Sequence, residues 1–131
     1  MSITIGTQTI TRNPSLGTVW NVRRINQSTV QLADGSWVTY DNGANILMGT
    51  IQLKNVSGAQ AESFRTWLIS TAVFEKNSFT ITPPANTDLG SGDGVAITTA
   101  FYDGGPTTDG VLFFAGNSNT YDITFPFKKV L

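Results

Sequence analysis

The chain predicts a mainly β domain, an antiparallel β-sandwich or barrel with one flanking α-helix at about residues 57–71. Short runs rich in Val, Ile, Thr and aromatic residues recur along it, separated by Gly, Asn, Asp and Pro. A single segment carries apolar residues at helical spacing. At 131 residues the chain can bury its apolar side chains around one core, so 1–131 is read as one β-rich structural domain.

The first strand signals are 19–25, 29–32 and 36–40. Ala33-Asp34-Gly35 joins the last two, and Asp-Gly supplies the positive φ of a tight turn, so residues 29–40 predict a β-hairpin. Asp41-Asn42-Gly43 turns the chain again. From Ile46 to Lys54, Leu47, Gly49, Ile51 and Leu53 alternate with Met48, Thr50, Gln52 and Lys54, the pattern of a half-buried strand.

A break is expected at 55–58, and beyond it Ala61, Phe64, Trp67, Leu68 and Thr71 form one helical stripe. Ser57 suits the N-cap, Gln60 stands where a capping box reaches back, and Glu62 suits the helix dipole. With Glu62, Ser63 and Arg65 on the opposite face, the helix is expected to lie across the sheet and bury Phe64, Trp67 and Leu68.

Residues 78–82 read as a strand that Pro83-Pro84 ends, since proline offers no ladder donor. Loops rich in Gly, Asp, Thr and Pro at 85–94 and 103–110 bracket a strand at 95–102. The final strand, 120–128, turns Tyr121, Ile123, Phe125 and Phe127 inward, and Pro126 suggests an edge position or a strand end.

Charged residues are only 13% of the chain, and Thr, Asn, Ser and Gly carry the polarity instead. Such a surface repels copies of itself weakly. A net charge of −1, with clustered cations limited to Arg23-Arg24 and Lys128-Lys129, argues against nucleic-acid binding. Zero Cys removes disulfides and thiolate metal sites. The first residues have neither a basic nor a long apolar leader region, and no apolar run reaches membrane-spanning length, so synthesis and folding in a cytoplasm are expected. The sequons at Asn26 and Asn55 then carry no glycan.

Zero His removes the commonest general base and metal ligand together with every Ser-His or Cys-His nucleophile. Paired carboxylates could still serve a glycosidase, but eight of the nine acids fall in expected loops, exposed helix positions or outward strand positions. The chain is therefore read as a non-enzyme without catalytic, metal or cofactor residues. The segment from Asp88 to Gly94 superficially suggests a calcium or phosphate loop, but its spacing matches neither, and a turn-rich loop accounts for it. Trp20, Trp37 and Trp67, with Tyr40 and Tyr102, could stack on sugars if exposed; Trp67 belongs to the core by its spacing, and Trp37 is open to either use.

The order of features is informative as a whole: an Asp34-Gly35 hairpin, Tyr40, a helix with Phe64 and Trp67-Leu68, a strand from Phe79 to Pro83-Pro84, and an aromatic strand from Tyr121 to Phe127. Over about residues 34–127 this resembles the distal tail proteins and the lambda-like minor tail protein M family of long-tailed phages. The segment 86–110 is longer than in the smallest members of that family.

The resemblance implies a structural virion protein at the tail tip, assembled in the host cytoplasm. Its copies would form a ring, usually a hexamer, that joins the tail tube protein to hub and tip proteins, with no cofactor, nucleic acid or membrane contact. Edge strands and the 86–110 loops are the expected contact regions, with Trp37, Tyr40, Leu89, Asp93, Phe101 and Tyr102 as candidate contact residues. The alternatives are a carbohydrate-binding module and another virion role: tail tube, tail terminator or head decoration.

Overall fold

The structure is a computed structural model that describes residues 2–12, 19–84, 96–114 and 119–131, with the side chains of Val19 and Trp20 left aside. In chain order the elements are β1 (Ile3–Ile5), β2 (Gln8–Ile10), β3 (Val19–Arg24), β4 (Gln27–Gln31), β5 (Trp37–Asp41), β6 (Asn45–Ser57), α1 (Gly58–Ser70), β7 (Phe79–Thr82), β8 (Ile97–Tyr102), β9 (Leu112–Phe114) and β10 (Thr120–Val130). The fold is mainly β and antiparallel with one helix, as the sequence predicts.

The main sheet runs β2-β1-β7-β8-β10-β6-β3, with β9 alongside β10, and it does not close into a barrel. Its two halves meet at β8, which pairs β7 through Ile97 and Ala100 and then β10 through Phe101 and Tyr102. A strand that changes partner in this way turns a sheet back over itself, and the inner faces enclose a sandwich-like core.

The core follows from alternation. Leu47, Ile51 and Leu53 of β6 and Ile123, Phe125 and Phe127 of β10 are all buried. Phe125 lies at the centre, edge-on to Phe64 of α1 at 5.2 Å, stacked with Tyr102 at 5.5 Å and tilted against Phe79 at 5.7 Å. Ala61, Phe64, Trp67 and Leu68 seat the helix on this cluster.

Several expectations need correction. The break at 55–58 is a β-bulge inside β6: Lys54 and Asn55 together oppose Asp122, Asn55 takes φ 55°, and its N–H donates to Asp122 Oδ1 at 3.1 Å. The extra residue shifts the alternation, so Val56 becomes the next buried position after Leu53. Ser57 does cap α1 by accepting the Gln60 N–H at 3.4 Å. The Gln60 side chain, however, pairs with the Thr11 backbone and hydroxyl rather than reaching back to the cap.

Glu62 lies beyond the first turn of α1, where the dipole is weak, and Thr71 is an exposed C-cap rather than a stripe residue. Pro126 occupies the interior of β10, opposite Thr50 of β6. Its carbonyl accepts the Asp103 N–H at 3.1 Å, so its ring nitrogen also points to that side, between the stretch paired with β9 and the stretch paired with β8. No ladder donor is needed there, which is why proline is tolerated.

The β1–β2 hairpin and β9 were not anticipated. Gly6 makes the hairpin possible: it has φ 61°, and a Cβ on it would overlap the Trp67 indole.

Candidate assembly surface

The β3–β6 ribbon does not stop at the edge of the sheet. After Arg24↔Asn45, the Ile25 N–H donates to Ala44 O at 3.0 Å and the Asn42 N–H to Asn26 O at 3.1 Å, and pairing then resumes as β4–β5 from Gln27↔Asp41 to Gln31↔Trp37. This separate two-stranded sheet is an arm on the body. It is the hairpin predicted at 29–40, displaced by a residue or two.

A kink joins arm to body. Asn26 is left-handed at φ 53°, and Gly43 lies so close to the opposite strand that a Cβ there would overlap the Ile25 carbonyl. Across the kink, Arg24 Nε and Nη2 donate to Asp41 Oδ1 and Oδ2 at 2.9 and 2.7 Å, and Arg24 Nη1 donates to Asn45 Oδ1. The Arg24 hydrogen bond, followed by its charge and the Gly43 N–H, holds the Asp41 carboxyl below its ordinary value. At the tip, the Ser36 hydroxyl and N–H donate to Asp34 Oδ1 at 2.6 and 3.0 Å and likewise keep Asp34 ionised. The turn is stiff and acidic.

Alternation sorts the arm into two faces. Ser28, Val30, Leu32, Val38 and Tyr40 share one face, and Gln27, Thr29, Gln31, Trp37, Thr39 and Asp41 share the other. The first is apolar but uncovered, with Val30 48%, Leu32 46% and Tyr40 62% exposed. Cross-strand pairs such as Val30↔Val38 contribute only about 0.2–1 kcal/mol each, and an isolated two-stranded sheet is marginal in water. Such a face gains most by being covered.

Of the expected contact residues, the structure brings Trp37 and Tyr40 together on the arm but turns them to opposite faces, with Trp37 65% exposed. Leu89 and Asp93 lie outside the described residues, as do the loop 85–94 and the Trp20 side chain. Phe101 is half-buried on β8. Tyr102 is corrected: it is wholly buried against Phe125, and its hydroxyl donates to Thr107 O at 2.7 Å, so it holds the 103–110 loop instead of meeting a partner.

Reading the sequence missed Phe113 and Phe114 on β9, and Val130 and Leu131 at the end of the chain, all well exposed. The first two belong to the four-residue apolar run Val111–Phe114, which carried a strand signal inside a stretch dominated by loop residues.

Among the described residues, no three His, Cys, Asp or Glu side chains gather as metal ligands, and no helix is long and apolar enough to cross a membrane. Asp41, Asp122, Glu75 and Asp103 each sit beside a cation, in pairs with Arg24, Lys54 and Lys128. No family model, curated protein or solved structure matches the chain.

Proposed function

We propose that the chain is a structural virion protein of a long-tailed phage, closing into a homo-oligomeric and typically hexameric ring that connects the distal end of the tail tube to hub and tip proteins. The observation that carries this reading is the β4–β5 arm, whose apolar face is left uncovered among the described residues. An arm on one side of a subunit and a body that offers different surfaces form a heterologous contact, and contacts of that kind give a ring where the rotation from copy to copy closes. Among the described residues β2 and β3 end the sheet, and such edges can add strands from neighbours. The low charge of the chain reduces the cost of stacking copies.

Negative-stain images of the purified chain, alone and with the tail tube protein, test the proposal. Rings with a central lumen are expected. Monomers under both conditions contradict it.

One observation favours a second reading, carbohydrate binding: Trp37 stands exposed on the polar face of the arm beside Gln31, Thr29 and Thr39, an indole with hydrogen-bonding neighbours. A glycan array distinguishes the readings, since sugar binding lost in Trp37→Ala belongs to the second alone.

A further inference from the structure

The inference below rests on the assembly reading and names the surface that receives the arm. The C-terminal end of α1 carries a second uncovered apolar patch, formed by Ile69 at 42% and Val73 at 38% exposure. Val73 and Phe74 are consecutive non-glycine residues in the left-handed region, at φ 49° and 55°. A branched or bulky residue is strained there, so the surrounding structure must hold the turn. It does so through Phe74 N–H to Leu68 O at 3.1 Å, Asn77 N–H to Ala72 O at 3.0 Å and Asn77 Nδ2 to Thr71 O at 2.9 Å. Phe74 thereby packs against the core while Val73 faces solvent.

Two cations flank this patch. Arg65 precedes Ile69 by one helical turn, and the Lys76 N–H donates to Val73 O at 3.1 Å, placing Lys76 on the same turn. Among the described residues neither side chain makes an ion pair, whereas Glu75 next to Lys76 is taken by Lys128. Glu62 is a helical neighbour of Arg65, three residues before it, but makes no ion pair with it among the described residues and lies roughly 10 Å along the helix from Ile69, at about 1.5 Å per residue. The end of α1 is an apolar patch with a positive rim.

The arm is its electrostatic complement. From Asn26 to Tyr40 the only charged side chain is Asp34, at the tip, and with Oδ1 occupied by Ser36 its Oδ2 is left to accept. Arm face and helix patch are both open to solvent, so neither covers the other within one chain.

We infer that the apolar face of the arm of one copy, led by Asp34, docks on the Ile69–Val73 patch of the next copy between Arg65 and Lys76. Arm and patch are different surfaces, so the contact is head to tail and propagates from copy to copy, the arrangement a ring requires. Opposite charge at the rim sets register and encounter, and apolar contact supplies the cover.

Charge reversal in the full chain, read by sedimentation velocity at low salt, provides the test. Asp34→Lys and Lys76→Asp are each expected to weaken self-association by about tenfold, and the double reversal to restore most of it, while circular dichroism stays that of the parent, both sites being exposed. Assembly of the parent chain with neither single reversal affecting it, or with a double reversal no better than the singles, overturns the docking site and leaves the assembly reading intact. A parent chain that stays monomeric at every concentration, both alone and with the tail tube protein, overturns both.

Discussion

Arg24 at the end of β3 and Asp41 at the end of β5 clasp each other through two hydrogen bonds, at 2.9 and 2.7 Å, across the point where the body of the molecule becomes an arm. With Asn26 left-handed on one strand and Gly43 pressed against the other, this pair fixes the direction the arm takes. Arg24→Ala is expected to raise amide exchange through residues 26–42 several-fold while exchange in β6 and β10 stays unchanged. Uniform exchange across both regions would show that the clasp has no local role.

The same pair gives the arm a pH dependence. Because Arg24 depresses the folded pKa of Asp41 below 3.8, the stabilisation is complete above 3.8 and is lost as pH falls through the lower folded value. Arm exchange should therefore rise below about that value, and Arg24→Ala should remove the part of the step centred on the kink, leaving the part that Asp34 contributes at the tip. A step at the kink that persists in the variant assigns it to another carboxylate.

At Gly43 any side chain meets the Ile25 carbonyl, backbone that cannot swing aside. Gly43→Ala should cost about 1–3 kcal/mol, the range for forced local strain, with the loss confined to the arm and its kink. Urea titration paired with exchange mapping measures both the size and the place of the effect.

Phe125 contacts Phe64, Phe79 and Tyr102 and is fully buried. Phe125→Ala is expected to destabilise the domain by about 3–5 kcal/mol through lost burial and an unfilled cavity. Tyr102→Phe removes only the bond to Thr107 O, so about 1 kcal/mol is expected. Comparable losses for the two variants in chemical denaturation would contradict this account of the core.

Much of this fold was legible because the core strands obey simple alternation and α1 carries a cap and a stripe. The apolar stripe Phe64, Trp67 and Leu68 and the inward set Ile123, Phe125 and Phe127 follow from periodicity alone. The bulge at Asn55 was legible only as an interruption, since the signal for positive φ is the same in a turn and in a bulge. Pro126 misled because proline excludes a ladder donor on one side only, and which side depends on neighbours that are distant in sequence. Tyr102 looked like a surface residue beside a loop, whereas tertiary contact with Phe125 placed it inside. The hairpin was legible from Asp34-Gly35, but that it stands apart from the main sheet was not, because alternation in β4 and β5 looks the same whether or not anything covers it.

The central claim is that the arm joins copies of the chain. Native mass spectrometry of the purified full chain, compared with a variant carrying Val30→Thr, Leu32→Thr and Tyr40→Thr, tests it most directly. The parent is expected as one closed oligomer, most simply a hexamer, and the variant as folded monomer. An unchanged oligomer in the variant, or a parent that is monomeric throughout, would contradict the claim.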